Sequence, residues 1–392
     1  MDLSNKSIKS LCPLPWVHLS YHTDGLQRVC CHSESTSYGH SLEDVTPKIL
    51  EHGSVFEALN SNFMKGIRKK MLDGLQPEQC EVCFSAEIKG LKSYREDFLN
   101  KFEGQMEKFV QRTSSSGGFD SHHVDWIDFS FGNTCNLACE MCSPDYSSQL
   151  KKGFKEILDE KSSERLDRIE AYTSAKKLKI YPLLKGISKL GFQGGEPLIS
   201  RDHIPLLEFL VSNGLSKEIE LEYNTNLTVL NDSLIDCWKN FKNVKLFISV
   251  DDVGESASKI RRGINWRTFD NNVRKVIQEN ISFKFVVTVQ ALNVLRLPQI
   301  FKFLKASYGM TAYPDFIFLR EPEVLSINSI PSSKITELIE ELSSSETFKE
   351  DKTAKRSLVS FLAGHKYCEA SAFKYVVYQK SGKAFWESYK RP

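Results

Sequence analysis

The chain has 392 residues, a formal net charge of +2 and 41% hydrophobic residues, with acids and bases interspersed. That balance gives no strong field to attract nucleic acid or a membrane surface. No apolar run approaches membrane-spanning length and the start, MDLSNKSIKSLCPLPW, lacks a secretory pattern, so a cytoplasmic protein with one large domain and a smaller part is expected.

Ten cysteines in a reducing compartment point to metal or cluster ligation before crosslinks, and they are grouped. Five lie early, at Cys12, Cys30, Cys31, Cys80 and Cys83. Between them HTDG predicts a hairpin turn whose two short strands present Cys12 and Cys30 to the same metal. SNFMKGIRKKMLDG predicts a helix, because Phe63, Met64, Ile67 and Met71 recur at helical spacing and Gly74 suits a left-handed cap. The TSSSGG stretch from Thr113 to Gly118 resists both helix and strand and reads as a linker. It separates a cysteine-rich module, residues 1–112, from a main domain, 119–320, followed by a C-terminal helical extension, 321–392.

Beyond the linker, strand-like runs alternate with helical ones. HVDWIDFSF, KLGFQ, EIELEYNT, VKLFISV, FKFVVTVQ and DFIFL are each rich in β-branched or aromatic residues, and the charged segment from Lys151 to Lys179 predicts a helix with a solvated face. The pattern predicts an α/β protein built as a partial (β/α)6 TIM-like barrel, with chemistry where strands end. Directly after the first of these strands comes FGNTCNLACEMC, which sets Cys135, Cys139 and Cys142 at the spacing C-x-x-x-C-x-x-C. Three thiolates satisfy three irons of a cubane and leave the fourth open. Structural zinc generally takes four closed ligands, and His122 and His123 are separated from the loop by the strand.

This loop resembles the cluster motif of the radical S-adenosylmethionine (SAM) superfamily, and the resemblance continues over several strands. GFQGGEPLIS follows the second strand, and Gly194, Gly195 and Glu196 match the motif that binds the methionyl amine of SAM. Two glycines allow close backbone approach, and a carboxylate pairs with an ammonium. Asn226, in NTNLT, resembles a polar residue near the ribose, although Leu227 stands where many relatives carry glycine. Ser249 and Arg261 resemble the ribose-contacting and carboxylate-contacting residues, with Arg262 a neighbouring candidate. Val289 and nearby backbone would face the adenine. Met141 replaces the aromatic residue that many relatives place before the third cluster cysteine. The resemblance implies a [4Fe-4S] cluster on Cys135, Cys139 and Cys142 with SAM at its open iron, a 5′-deoxyadenosyl radical, and a reductant such as flavodoxin or ferredoxin. The substrate is left open between a small molecule and a peptide.

The N-terminal pattern resembles the auxiliary-cluster module of twitch proteins, relatives of the SPASM group. It implies an auxiliary iron–sulfur cluster on Cys12, Cys30, Cys80 and Cys83, with Cys31 as a substitute for Cys30 or a buried neighbour. Two close cysteine pairs also suit a zinc knuckle, and a zinc-stabilised binding protein on a barrel scaffold is the competing reading. Cys237 and Cys368 are candidate hydrogen donors whose ordinary role is core packing. His18, His22 and His32 are alternative ligands or polar turn residues, and Tyr313 belongs to a strand and its packing.

Overall fold

Side chains that alternate between apolar and polar commit a strand to one buried face, and most of the predicted runs do so, DFIFL excepted. The computed structural model describes residues 9–33, 53–88, 92–151, 160–174 and 178–381. Ten strands are found among them: β1 His18–Tyr21, β2 Gln27–Arg28, β3 Trp126–Ser130, β4 Ala138–Cys139, β5 Lys189–Gln193, β6 Glu220–Thr225, β7 Asn243–Ser249, β8 Arg261–Arg262, β9 Ser282–Val289 and β10 Asp315–Phe318. The six predicted strands are β3, β5, β6, β7, β9 and β10, adjacent in that order and parallel throughout. Leu190, Phe192, Leu221, Tyr223, Leu246, Ile248, Phe285 and Val287 form one face of the sheet, buried in the apolar core. This is the partial barrel that the sequence predicts.

Parallel neighbours require crossovers, and helices supply them. Those at His203–Ser212, Asp232–Trp238, Trp266–Gln278 and Leu297–Tyr308 follow β5, β6, β7 and β9. Local chemistry sets their ends. Asn231 accepts a hydrogen bond from Leu234 N at 2.8 Å and Asn265 one from Thr268 N at 3.0 Å, while Gly309, at φ 68°, stops the last of them. Within the segment Lys151–Lys179, a helix spans Glu160–Ser174; residues 152–159 and 175–177 lie outside the described residues. Helices at Ser332–Ser344, Lys352–Ala363 and Glu369–Ser381 form the described part of the C-terminal extension.

The cysteine-rich module shares the sheet. HTDG is a hairpin turn, with Gly25 at φ 73° and its N–H donating to His22 O at 2.9 Å. The hairpin's first strand, β1, pairs in parallel with β3, extending the sheet beyond the six barrel strands. The predicted helix spans Asn62–Leu72, capped by Ser61, with Phe63, Met64, Ile67 and Met71 buried. TSSSGG forms a tight turn in which Ser114 N donates to Gly118 O at 2.8 Å.

Arg68 ties these parts together. Fully buried, it donates to the carbonyls of Gly117 at 2.7 Å, Pro15 at 2.8 Å and Leu59 at 2.5 Å, and burial lowers its pKa to about 10. Arg68→Ala leaves three buried carbonyls without a donor, so a loss of about 3 kcal/mol or more is expected in chemical denaturation. An unchanged denaturation midpoint would contradict this role.

Candidate active site

The cluster loop leaves β3 through Gly132, at φ 108°, where a Cβ would overlap the Thr173 hydroxyl. Ser130 Oγ accepts from Gly132 N and donates to its carbonyl, both at 3.1 Å. Asn133 Nδ2 donates to Pro144 O at 2.9 Å, and Ser147 Oγ to Leu137 O at 2.6 Å, closing the loop on itself. Inside it, β4 pairs antiparallel with β8, setting Cys139 opposite Arg261. Burial raises all three thiol pKa values: Cys139 to about 12, with the Arg261 charge opposing, and Cys142 further through the neighbouring Cys139 and Cys135. The loop therefore brings together three thiols that resist ionisation until a cation compensates them. Among the described residues, no group of three Cys, His, Asp or Glu side chains is already gathered around a metal position. The fit to a cluster rests on this donor set and its shared loop.

Gly194 and Gly195 are glycines for a steric reason within the protein itself. Gly194, at φ 109°, lies against Ser130 Oγ, and a Cβ on Gly195 would overlap the carbonyl of Thr134 in the cluster loop. Gly195 N donates to Gly132 O at 3.1 Å and Glu196 N to Thr134 O at 2.8 Å, so this turn and the cluster loop form one unit. Glu196 is buried and accepts from Leu198 N at 3.1 Å, Thr225 Oγ1 at 2.7 Å and Asn226 N at 2.6 Å. Burial lifts its pKa to about 7 despite these bonds and Arg261.

That shift has a measurable sign. With the folded pKa raised above the ordinary 4.5, the native state holds a proton that the unfolded chain releases between these values. Stability of the metal-free protein should fall as pH rises from about 4.5 to about 7, by about 3 kcal/mol. Glu196→Gln should remove this slope whatever its baseline cost. Denaturation midpoints across that range read it out, and an equal slope in both proteins would contradict the assignment.

Asn226 lies beside the first thiol. Its Nδ2 donates to Asn136 Oδ1 at 3.1 Å and is 3.8 Å from Cys135 Sγ, while its Oδ1 accepts from Thr228. Leu227 adopts φ 50°, the left-handed region that favours glycine, with its side chain fully buried.

Arg261 is buried against Asp251, with Nε 2.8 Å from Oδ2, an ion pair whose angles fall outside those of an aligned hydrogen bond. Its Nη1 lies 3.9 Å from Cys139 Sγ. Burial opposes the Arg261 charge, but Asp251 and the thiols outweigh it and raise the pKa. Asp251, which motif reading did not single out, is fully buried and accepts from Thr288 N at 2.7 Å. Arg262 pairs with buried Glu140. Ser249 ends β7 half-buried, beside Val286 in register. Val289 ends β9 with its side chain in the core and its carbonyl accepting from Leu319 N at 3.1 Å. Next to it, Gln290 is fully buried with neither side-chain amide atom hydrogen-bonded, a feature without a sequence signal. Met141 packs against the small cluster of Val324 and Leu325.

The five early cysteines converge. Burial raises the pKa of each: Cys12 to about 12 with Cys83 adding to the rise, Cys30 well upward with Cys31, Cys12 and Cys80 adding, and Cys80 upward with Cys12 and Cys83 adding. Cys31 differs. It is raised to about 12 by burial and by Asp128 on β3, and its Sγ lies 3.3 Å from His32 Nδ1. His32 stacks on Tyr94, and His18 pairs with Asp128 at 3.0 Å. Burial lowers the pKa of His22 to about 4. Cys237 packs half-buried against the core, Cys368 N donates to Asn328 O at 2.9 Å, and Tyr313 packs with Phe301 and Phe348.

An open parallel barrel with three thiols in the loop after one strand, locked to a glycine–glycine–glutamate turn after the next, defines a class of cofactor-binding α/β domain. Residues 129–304 match the family described as the radical SAM superfamily. Over 183 residues it is 30% identical to molybdenum cofactor biosynthesis protein 1 of Dictyostelium discoideum, covering 46% of this chain and 26% of that protein. The chain thus spans about a quarter of the length of that curated relative. Among solved structures it is similar to anSMEcpe with bound AdoMet and Cp18Cys peptide, at 15% identity and TM-score 0.38, covering 62% of each chain. It is also similar to Streptococcus suis SuiB bound to S-adenosylmethionine, at 10% identity and TM-score 0.34, covering 74% of this chain and 61% of that one. No helix among the described residues is long and apolar enough to cross a membrane.

Proposed function

We propose that the protein is a radical SAM enzyme whose site is the end of the barrel where the thiol loop, the Gly194–Glu196 turn and Arg261 meet. The observation that carries this reading is their mutual fixation: Glu196 N bonded to Thr134 O, and Cys139 paired in register with Arg261. A [4Fe-4S] cluster with SAM at its open iron supplies reductive cleavage of a carbon–sulfur bond and the resulting 5′-deoxyadenosyl radical. The residues of the chain bind and orient. Cys135, Cys139 and Cys142 provide the thiolates, and Glu196 with the carbonyls of Gly194 and Gly195 receives the methionyl amine. Arg261, held charged by Asp251, takes the carboxylate. Asn226 and Ser249 lie toward the ribose, and Val289 with its neighbouring backbone toward the adenine. The barrel positions the target carbon against the reactive one. A small protein such as flavodoxin or ferredoxin provides the electron, and the substrate is a small molecule or a peptide.

An auxiliary iron–sulfur cluster is assigned to Cys12, Cys30, Cys80 and Cys83. Cys30 is preferred over Cys31 because its thiol feels Cys12 and Cys80, whereas the thiol of Cys31 feels Asp128 first. Iron and sulfide analysis after anaerobic purification tests both assignments. Wild type and Cys31→Ser should carry two clusters, and Cys30→Ser only one. Stoichiometric zinc in place of iron would favour a metal-stabilised binding protein.

A further inference from the structure

The sheet face opposite the helices carries chemistry that the site above leaves unused. Ser130, Gln193, Asn224, Phe247 and Lys284 form one row across β3, β5, β6, β7 and β9, following the parallel register. The row lies directly before Gly194, and two residues before Asn226 and Ser249, so it forms the floor beneath the proposed SAM site. Closed barrels fill such layers with apolar side chains. Here Asn224 is exposed although β6 is a central strand, and Gln193 and Phe247 are only half-buried. Gln193 Nε2 is shut away from solvent without a hydrogen-bond partner.

The charges on this face are mostly paired. His18 meets Asp128 at 3.0 Å, Lys189 meets Glu222 at 2.5 Å, and Lys284 meets Asp315. Among the described residues, Lys245 has no carboxylate at ion-pair distance. Glu222 stands across from it in register but is engaged by Lys189, and Glu220 lies a layer lower, in the field of Lys101. The Lys245 ammonium instead sits 4.7 Å over the Phe247 ring. It therefore leans along the strand toward the catalytic end, to the level of Gln193 and Asn224, whose strands lie about 5 Å apart.

We propose that this row binds the substrate, and that the substrate presents a carboxylate to Lys245 while Gln193 and Asn224 hydrogen-bond its neighbouring amide or carboxylate groups. The inference rests on the radical SAM reading and narrows its substrate class. A charge-assisted bond from a half-buried ammonium favours an ionised oxygen over a neutral amide. A free acid and an acidic side chain in a peptide share this chemistry.

Calorimetric titration of the SAM-loaded holoprotein tests it. The probes are acetylated and amidated glutamate, its glutamine and lysine counterparts, and a short blocked peptide with a central glutamate. Wild type should bind the glutamate probe at least about tenfold tighter than the glutamine probe, about 1.4 kcal/mol. Lys245→Gln should abolish the preference, Lys245→Arg should keep it, and Lys245→Glu should transfer it to the lysine probe. Tighter binding of the peptide than of the single residue assigns a peptide source, and equal binding a small acid. Indifference to probe charge, no binding of any probe, or a preference that survives Lys245→Gln would overturn the proposal. SAM cleavage measured on the same wild-type preparation reports separately on the radical reading.

Discussion

Cys139→Ala should reduce 5′-deoxyadenosine formation to the level of protein without iron. Cys139 is the middle thiol of the loop, 8% exposed, and its backbone is fixed on both sides. Its own strand pairs with Arg261–Arg262, and Glu140 N donates to Ile260 O at 2.9 Å. A water or a neighbouring side chain cannot readily replace a thiolate at a position so enclosed. Loss of one of the three proposed ligands would remove the cluster or its open iron, and chemistry that depends on the cofactor would go with it. Iron at the proposed auxiliary site should persist in this variant, which separates loss of chemistry from loss of fold. Wild-type product formation by Cys139→Ala would refute the assignment of this loop.

Asp251→Ala carries the second large effect, on stability and on the site together. Asp251 is fully buried, and Arg261, its ion-pair partner, is only 8% exposed. Removing one member of a buried pair leaves an uncompensated charge and typically costs about 3–5 kcal/mol. The freed guanidinium lies 3.9 Å from Cys139 Sγ and loses the group that orients it. Thermal or chemical denaturation should show the loss of stability, and SAM binding to the surviving folded fraction should weaken. Double replacement of Asp251 and Arg261 by apolar residues should recover much of the stability but not SAM binding. A destabilisation by Asp251→Ala within experimental error would show that the pair does not matter to the fold.

What the sequence made legible was set by locality. Five of the six barrel strands carry their pattern within five to eight residues and bury one face; the last, of four residues, does not show it. The thiol loop and the Gly194–Glu196 turn were readable because their chemistry lies in consecutive residues. The pairs β1–β3 and β4–β8 were not, since strands of two to four residues owe their order to partners more than one hundred positions away. Asp251 was hidden for a similar reason: its importance comes from Arg261, which reaches it only once the chain folds back. Leu227 shows the opposite case. Its place in the motif suggested a glycine, and the backbone there does adopt a left-handed φ of 50°, which this chain sustains with a fully buried leucine. The convergence of five early cysteines follows from their grouping, whereas the division between Cys30 and Cys31 depends on which faces Asp128.

The proposed function stands on reductive cleavage of SAM in this barrel. The most direct measurement is chromatographic quantification of 5′-deoxyadenosine and methionine after the anaerobically purified protein is mixed with SAM and dithionite. Equimolar formation of both, dependent on iron and absent from Cys139→Ala, is the predicted result. A protein with its full iron content that leaves SAM intact under these conditions is not a radical SAM enzyme of the kind proposed.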